Sequence, residues 1–289
     1  MAPSYDWQFT HDLDEFLAHA GAFLHSRPAL HTVPLTVTDT LRERGTHLFG
    51  DQDPLFGFLA DGDGGDVRAA LFHTPPHVLN VTPLTADEAD ALVAGLFRLG
   101  HPAPGVSAED ATAAAVAEAW QRAAGGAARI REHQRLYRLG ELSVPQPVPE
   151  GRARTVGAAD RKLLMRWFKE FNEVTGGGVH ADPGPWADAR ISYGGVTLWE
   201  TLDGTPVSMA GVTRPIAGQI RVAPVYTPSH LRGNGYAGAV TAEVSRAATA
   251  AGAAEVLLFT DLANPTSNAL YQRIGYREVT DFTVYGFGD

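Results

Sequence analysis

The sequence predicts an α/β protein of two domains in tandem, each a mixed sheet with helices on its faces. Three observations carry that prediction. The 289 residues exceed the usual single domain, and a 44% hydrophobic content fills one large core or two modest ones. Val144 to Gly151, VPQPVPEG, holds three prolines and little that packs, so it reads as a linker dividing 1–146 from 147–289. Each side then shows, loosely, the same order of meandering strands, helix, strand, helix and strand. That order reads as an internal duplication, with VTP at Val81 to Pro83 opposite YTP at Tyr226 to Pro228, although so short an identity also fits chance.

In the first half, Leu13, Phe16, Leu17, Ala20, Phe23 and Leu24 recur at helical spacing from about Thr10 to His25, with Thr10 as the cap. Two apolar runs between Leu55 and Phe72 flank DGDGG, a reversing turn, and predict a hairpin. A third strand follows at Val78 to Val81. Thr85 and Glu88 stand in capping-box positions before a helix with one buried stripe, Leu92, Val93, Leu96 and Leu99. Ser107 and Asp110 repeat that spacing before an alanine-rich helix, and Ile130 to Leu139 reads as a strand.

In the second half, a strand at Ala153 to Val156 precedes a helix whose Leu163, Leu164, Trp167, Phe168 and Phe171 share a face and which ends at TGGG, Thr175 to Gly178. A short helix follows Trp186. Strands are expected at Val196 to Glu200, Val207 to Val212 and Gln219 to Tyr226, then a helix from about Tyr236 to Ala251. A buried strand at Val256 to Thr260, a helix around Asn268 to Ile274 and a strand near Val279 to Tyr285 close the chain.

Bulk properties narrow the function. With no cysteine, neither a disulfide framework nor a thiolate metal site is available, which fits a reducing cytoplasmic setting, and no metal is expected. No segment approaches the roughly 18–20 apolar residues of a membrane span, and the N-terminus lacks a signal pattern, so a soluble, unexported protein is expected. The net charge of −10 disfavours binding to nucleic acid, because that affinity comes from clustered Lys and Arg.

The chemistry concentrates in TPSHLRGNGYAGA, Thr227 to Ala239, between a strand and a helix. Gly233 and Gly235 remove Cβ atoms that would hold a ligand away, and the loop and helix start can offer N–H groups to phosphate oxygens. Arg232 adds a charge. A dinucleotide fingerprint would need an early parallel βαβ unit, a third glycine in register and an acidic residue about 20 positions on, and those are absent. A second segment, FTDLANPTSNALYQRIGYREV, places Asn264, Asn268 and Tyr271 around one short helix before Gly275 and Tyr276.

Together these segments resemble the GNAT superfamily of N-acetyltransferases, over roughly Arg152 to the C-terminus. That family pairs an arginine and glycine loop, here Arg232 to Ala237, with a later asparagine, tyrosine and Gly-Phe/Tyr set, here Asn264, Tyr271, Gly275 and Tyr276. The resemblance implies two GNAT-like domains in tandem, 1–146 degenerate and 147–289 active. The second would have a sheet splayed between Gln219 to Tyr226 and Val256 to Thr260 to take acetyl-CoA. Backbone groups of Val225, Tyr226 and Thr227 would pair with the pantetheine arm, Arg232, Gly233, Asn234, Gly235, Tyr236 and Ala237 would hold the diphosphate, and Asn264 and Asn268 would order the arm or the loop. Tyr271 stands where the family's general acid stands.

The implied reaction is direct attack by a primary amine, of a small molecule or a peptide, on the thioester. Such an amine has a pKa of about 10.4 and must first lose its proton. A strand position where some relatives carry glutamate holds Gln219, so the base stays open among Glu200, Asp261, Glu173 and His180. His230 also departs from the family's usual loop residue. The alternative is a non-catalytic coenzyme A binding or sensing module. In the first half Asp87 and Glu88 occupy the corresponding helix start, which repels a diphosphate; that half is expected to leave coenzyme A alone and to shape the acceptor pocket. A monomer and a homodimer are both compatible with the sequence.

Overall fold

A computed structural model describes residues 5–62, 65–176 and 182–288. Packing groups the chain into two compact units, Met1–Arg135 with Thr280–Asp289, and Leu136–Val279. This differs from a division at 146/147. The prolines mark an irregular stretch of chain, whereas the units follow strand pairing.

In the first unit the order is β1 (Trp7–Thr10), α1 (Leu13–Ser26), α2 (Thr32–Arg44), β2 (Leu55–Ala60), β3 (Val67–His73), β4 (Leu79–Val81), α3 (Ala86–Arg98), β5 (Gly105–Glu109), α4 (Asp110–Ala124) and the start of β6 (Ala127–Leu139). β1 to β4 pair antiparallel in sequence, β4 pairs β5 parallel, and the chain's last strand pairs β5 antiparallel from Phe282↔Glu109 to Gly286↔Gly105. The core gathers Leu59, Leu71, Leu92, Leu96, Val106 and Val116.

Local chemistry explains where the elements begin. α1 starts at Leu13 and not at Thr10, because Asp12 Oδ1 accepts from the N–H groups of Asp14 (2.8 Å) and Glu15 (3.1 Å) while Thr10 closes β1. Thr85 and Glu88 form the expected capping box. Ser107 caps nothing: it lies inside β5, and α4 starts at Asp110 with Glu109 as its N-cap. β1 and α2 had no clear sequence signal.

The second unit runs from the end of β6 through β7 (Arg152–Thr155), α5 (Arg161–Thr175), α6 (Pro183–Ser192), β8 (Val196–Glu200), β9 (Pro206–Val212), β10 (Gln219–Tyr226), α7 (Tyr236–Ala250), β11 (Glu255–Asp261), α8 (Pro265–Ile274) and the start of β12 (Tyr276–Gly288). Its strand order is β6-β11-β10-β9-β8-β7. β10 and β11 are parallel, and β7 to β10 form an antiparallel meander. Helix α6 starts at Pro183, before Trp186, where Asp182 Oδ1 accepts from Gly184 N–H at 2.9 Å. Gly176, in the left-handed region, ends α5; the rest of TGGG, Gly177 and Gly178, lies outside the described residues.

One face of this sheet packs Leu164 and Trp167 of α5 against Leu198, Met209 and Tyr226. The other packs Val240 and Val244 of α7, with Tyr271 and Ile274 of α8, against Ile220 and Val222. Each fully buried large apolar side chain contributes about 1.5–3 kcal/mol. The linker also packs: Pro149 approaches Gly235, and Pro145 lies against Gly238 at the start of α7.

Candidate active site

Strand β10 makes the opening. Its register with β9 slips between Val222↔Val212 and Val225↔Ala210, so β10 carries one extra residue there, a β-bulge at Ala223 and Pro224. The bulge turns the strand over. Val222 and Tyr226, four residues apart, would share a face of a regular strand, yet Val222 packs on the α7 side and Tyr226 on the α5 side. Pairing with β11 runs from Gln219↔Glu255 to Arg221↔Leu257, and the strands part beyond it. Val225, Tyr226 and Thr227 therefore line one wall of a wedge. The Tyr226 carbonyl accepts from Ser208 Oγ at 3.1 Å, and Ser208 Oγ also bonds Thr227 Oγ1 at 2.8 Å, which fixes the end of that wall.

The glycine loop closes the wide end. Gly233 and Gly235 have φ of 82° and 81°, a region L-residues rarely enter, and nothing stands within 4 Å of where a Cβ on Gly233 would be. Gly235 is the N-cap of α7 and supplies no side-chain cap, so the first-turn N–H groups, among them those of Tyr236 and Ala237, point out of the helix toward the loop. Uncapped donors, open space at Gly233 and the positive end of α7 fit a diphosphate. Arg232 Nε donates to the Thr227 carbonyl at 3.1 Å and Asn234 Nδ2 to the Leu231 carbonyl at 3.0 Å, so both side chains hold the shape of the loop. A cavity of ≈ 510 Å³ beside the loop, lined by Leu231, Tyr236, Val207, Glu150 and Asp203, carries two carboxylates and so disfavours phosphate.

On the β11 side, Asn264 caps α8, its Oδ1 accepting from Ser267 N–H at 3.0 Å. Asn268 Nδ2 donates to the carbonyls of Asp261 and Asn264, both at 2.8 Å, and its Oδ1 accepts from Tyr137 Oη at 3.0 Å. Both asparagines thus brace the turn between β11 and α8. Tyr271 is buried, edge-on to Tyr276 with ring centroids 6.1 Å apart, and burial pushes its hydroxyl up to about 12. Tyr276 Oη is tied to Ser245 Oγ at 2.8 Å, whereas no hydrogen bond engages Tyr271 Oη among the described residues.

The candidate bases separate. Glu200 is buried against Arg154, whose Nε donates to it at 2.6 Å, and Asp261 Oδ1 accepts from Ala263 N–H at 2.8 Å. Glu173 is an exposed partner of Lys169 at 3.9 Å, and His180 lies outside the described residues. Gln219 is buried at the start of β10. Sequence reasoning passed over Glu170, whose Oε2 accepts from Tyr226 Oη at 2.8 Å. Burial, followed by this carboxylate, pushes the Tyr226 hydroxyl up to about 12. The available signal was spacing: Glu170 follows the buried Trp167 by three residues and so borders the packed stripe of α5.

In the first unit, Glu88 fills the corresponding helix start. Thr85 N–H donates to its Oε2 at 2.7 Å, and Arg68 Nη2 approaches its Oε1 at 2.5 Å.

A meander, a bulged strand parting from its parallel neighbour and an uncapped glycine-led helix are the features of the GNAT N-acetyltransferase fold, and the chain has the tandem form of it. Residues 206–285 match the family model described as FR47-like protein. Over nearly its whole length the chain is similar in structure to a GCN5-related N-acetyltransferase from Sphaerobacter thermophilus, with 18% identity and a TM-score of 0.64 over 99% of this chain and 96% of that one. A GNAT-family acetyltransferase from Colwellia psychrerythraea gives 11% and 0.60 over 98% and 100%. A tandem GNAT protein from the clavulanic acid biosynthesis pathway gives 14% and 0.54 over 98% of each chain. No curated protein matches the chain in sequence. Among the described residues, no helix is long and apolar enough to cross a membrane and no cluster of His, Asp or Glu could hold a metal ion.

Proposed function

We propose that the second unit is an acyltransferase that moves an acetyl group from acetyl-CoA to a primary amine, of a small molecule or a peptide, within a ternary complex. The observation that carries this reading is the parting of β10 from β11 after Arg221↔Leu257, beside an uncapped helix led by Gly235. The wedge takes an extended arm, and N–H groups of Gly233 to Ala237 receive a diphosphate. Acetyl-CoA supplies the activated acyl group.

The remaining steps belong to the protein. A main-chain N–H near Val225 faces the carbonyl oxygen and stabilises the charge that grows there. Glu170, held by Tyr226, takes the proton of the incoming ammonium. Tyr271 gives a proton to the departing thiolate; with a pKa near 12 its hydroxyl stays protonated throughout the physiological range. The first unit, with Glu88 over its helix start, takes no coenzyme A. The setting is cytoplasmic.

The test is thiol release by the purified protein from acetyl-CoA across a panel of primary amines. Tyr271→Phe should lower kcat about a hundred-fold or more while acetyl-CoA still binds. Its alkaline limb, if any appears in the wild type below about pH 11, would have to come from another group. Tight coenzyme binding with no release for any amine would return the unit to a sensing role.

A further inference from the structure

The Tyr271 ring is buried, yet its hydroxyl meets no hydrogen-bond partner among the described residues. A proton donor needs that freedom, because an acceptor already seated on the hydroxyl would compete with the departing thiolate. The aim of the hydroxyl is then set by what packs against the ring. Tyr276 meets it edge-on, with 6.1 Å between centroids and 67° between planes. Gly275 brings the two rings together. With φ of 108° it ends α8, its N–H donating to the Tyr271 carbonyl, and β12 starts at the next residue.

Tyr276 is itself pinned, and the direction of its hydrogen bond follows from proton counting. Ser245 Oγ has one proton and gives it to the Thr241 carbonyl at 2.7 Å. In the 2.8 Å contact between Ser245 Oγ and Tyr276 Oη the tyrosine therefore donates. Both residues are 0% exposed, so solvent does not compete for either bond. Thr241 and Ser245 belong to α7, the helix whose first turn faces the glycine loop. Nearer that first turn, a Cβ on Gly238 would stand 3.2 Å from Leu270 Cδ1, so α7 and α8 touch one residue before Tyr271. Ser245 lies about 13–14 Å along the helix from Tyr236, at 1.5 Å per residue. Helix α7 thus joins two parts of the site: the diphosphate donors at its start and, through Ser245, the ring that abuts Tyr271.

We propose that Ser245 and Tyr276 are positioning residues that hold Tyr271 in a fixed place relative to the diphosphate loop. The consequence for turnover rests on the transferase reading; the positioning itself does not. Two readouts keep them apart. Ser245→Ala removes the acceptor of the hydrogen bond, and Tyr276→Phe removes the donor while keeping the ring. Each should lower kcat about ten-fold, with the Kd of acetyl-CoA by calorimetry within about two-fold of wild type. In a Tyr271→Phe background neither should lower kcat further, since the group they aim is gone, whereas a general structural defect would slow both backgrounds alike. The second readout needs no turnover: fluorine NMR of the full chain carrying meta-fluorotyrosine, with the Tyr271 line identified by its loss in Tyr271→Phe. That line should shift and broaden in both Ser245→Ala and Tyr276→Phe. A line that moves so in a protein that releases no thiol keeps the positioning and sinks the transferase reading. An unchanged Tyr271 line in both variants, a wild-type kcat in both, or a loss of kcat that persists in the Tyr271→Phe background overturns the positioning.

Discussion

Asn268 uses both ends of its amide inside the protein, donating to two carbonyls of the β11–α8 turn and accepting from Tyr137. Asn268→Ala leaves those groups unmatched and should cost about 1–3 kcal/mol, read as a lower urea midpoint. The KM of acetyl-CoA should rise as well, because the turn sets the β11 wall. The candidate site residues that sequence reasoning singled out are those whose signal is local: Gly233 and Gly235 sit in one loop, and Asn264, Asn268 and Tyr271 around one short helix. Glu170 was missed because its partner Tyr226 lies far along the chain, and on its own helix it reads as one more charge among Lys169 and Glu173. Arg232 and Asn234, expected at the diphosphate, also bond the loop's own carbonyls through their side chains, a second role that composition does not reveal.

At the level of elements, α7 depends on its first residue out. Gly235 holds a left-handed conformation that costs a residue with a Cβ about 1–2 kcal/mol. Gly235→Ala should lower stability by about that amount and weaken acetyl-CoA binding, measured by calorimetry on the folded variant, because relief of the strain swings the first-turn N–H groups away. Periodicity found most helices and strands since their buried faces repeat. It missed α2, whose sequence TVPLTVTDTLRER offers few apolar positions. There Thr36, Thr38 and Thr40 donate to carbonyls four residues back, at 2.8, 2.7 and 2.6 Å, satisfying their hydroxyls within the helix. The bulge in β10 was also illegible, because an alternating pattern does not say where one residue too many has been inserted.

For the whole molecule, the first unit holds a pH-sensitive cluster. His73 Nε2 lies 2.7 Å from the His77 carbonyl and must donate to it, so Nδ1 accepts from His101 Nε2 at 2.6 Å. Burial pulls His73 down to about 4, and lowers His77 and His101 too. The unfolded chain, with histidines near 6.5, takes up protons first as pH falls. Stability should therefore be full above about pH 6.5 and decline by about 2 kcal/mol by pH 5 and about 3 kcal/mol by pH 4 from His73 alone, and urea midpoints at pH 7.5 and 5 should show it. His73→Gln should flatten that slope. The tandem order was visible in the repeated elements, whereas the return of Thr280–Asp289 to the first unit was not, since no short-range pattern records which distant strand a segment joins.

That return gives the protein a timetable. During synthesis β5 emerges long before the strand that covers it, and the exposed ladder of amides and carbonyls waits until β12 leaves the ribosome. A unit begun early is thus completed late, and a nascent chain stalled between β5 and β12 carries an unsealed sheet edge that invites pairing with its neighbours.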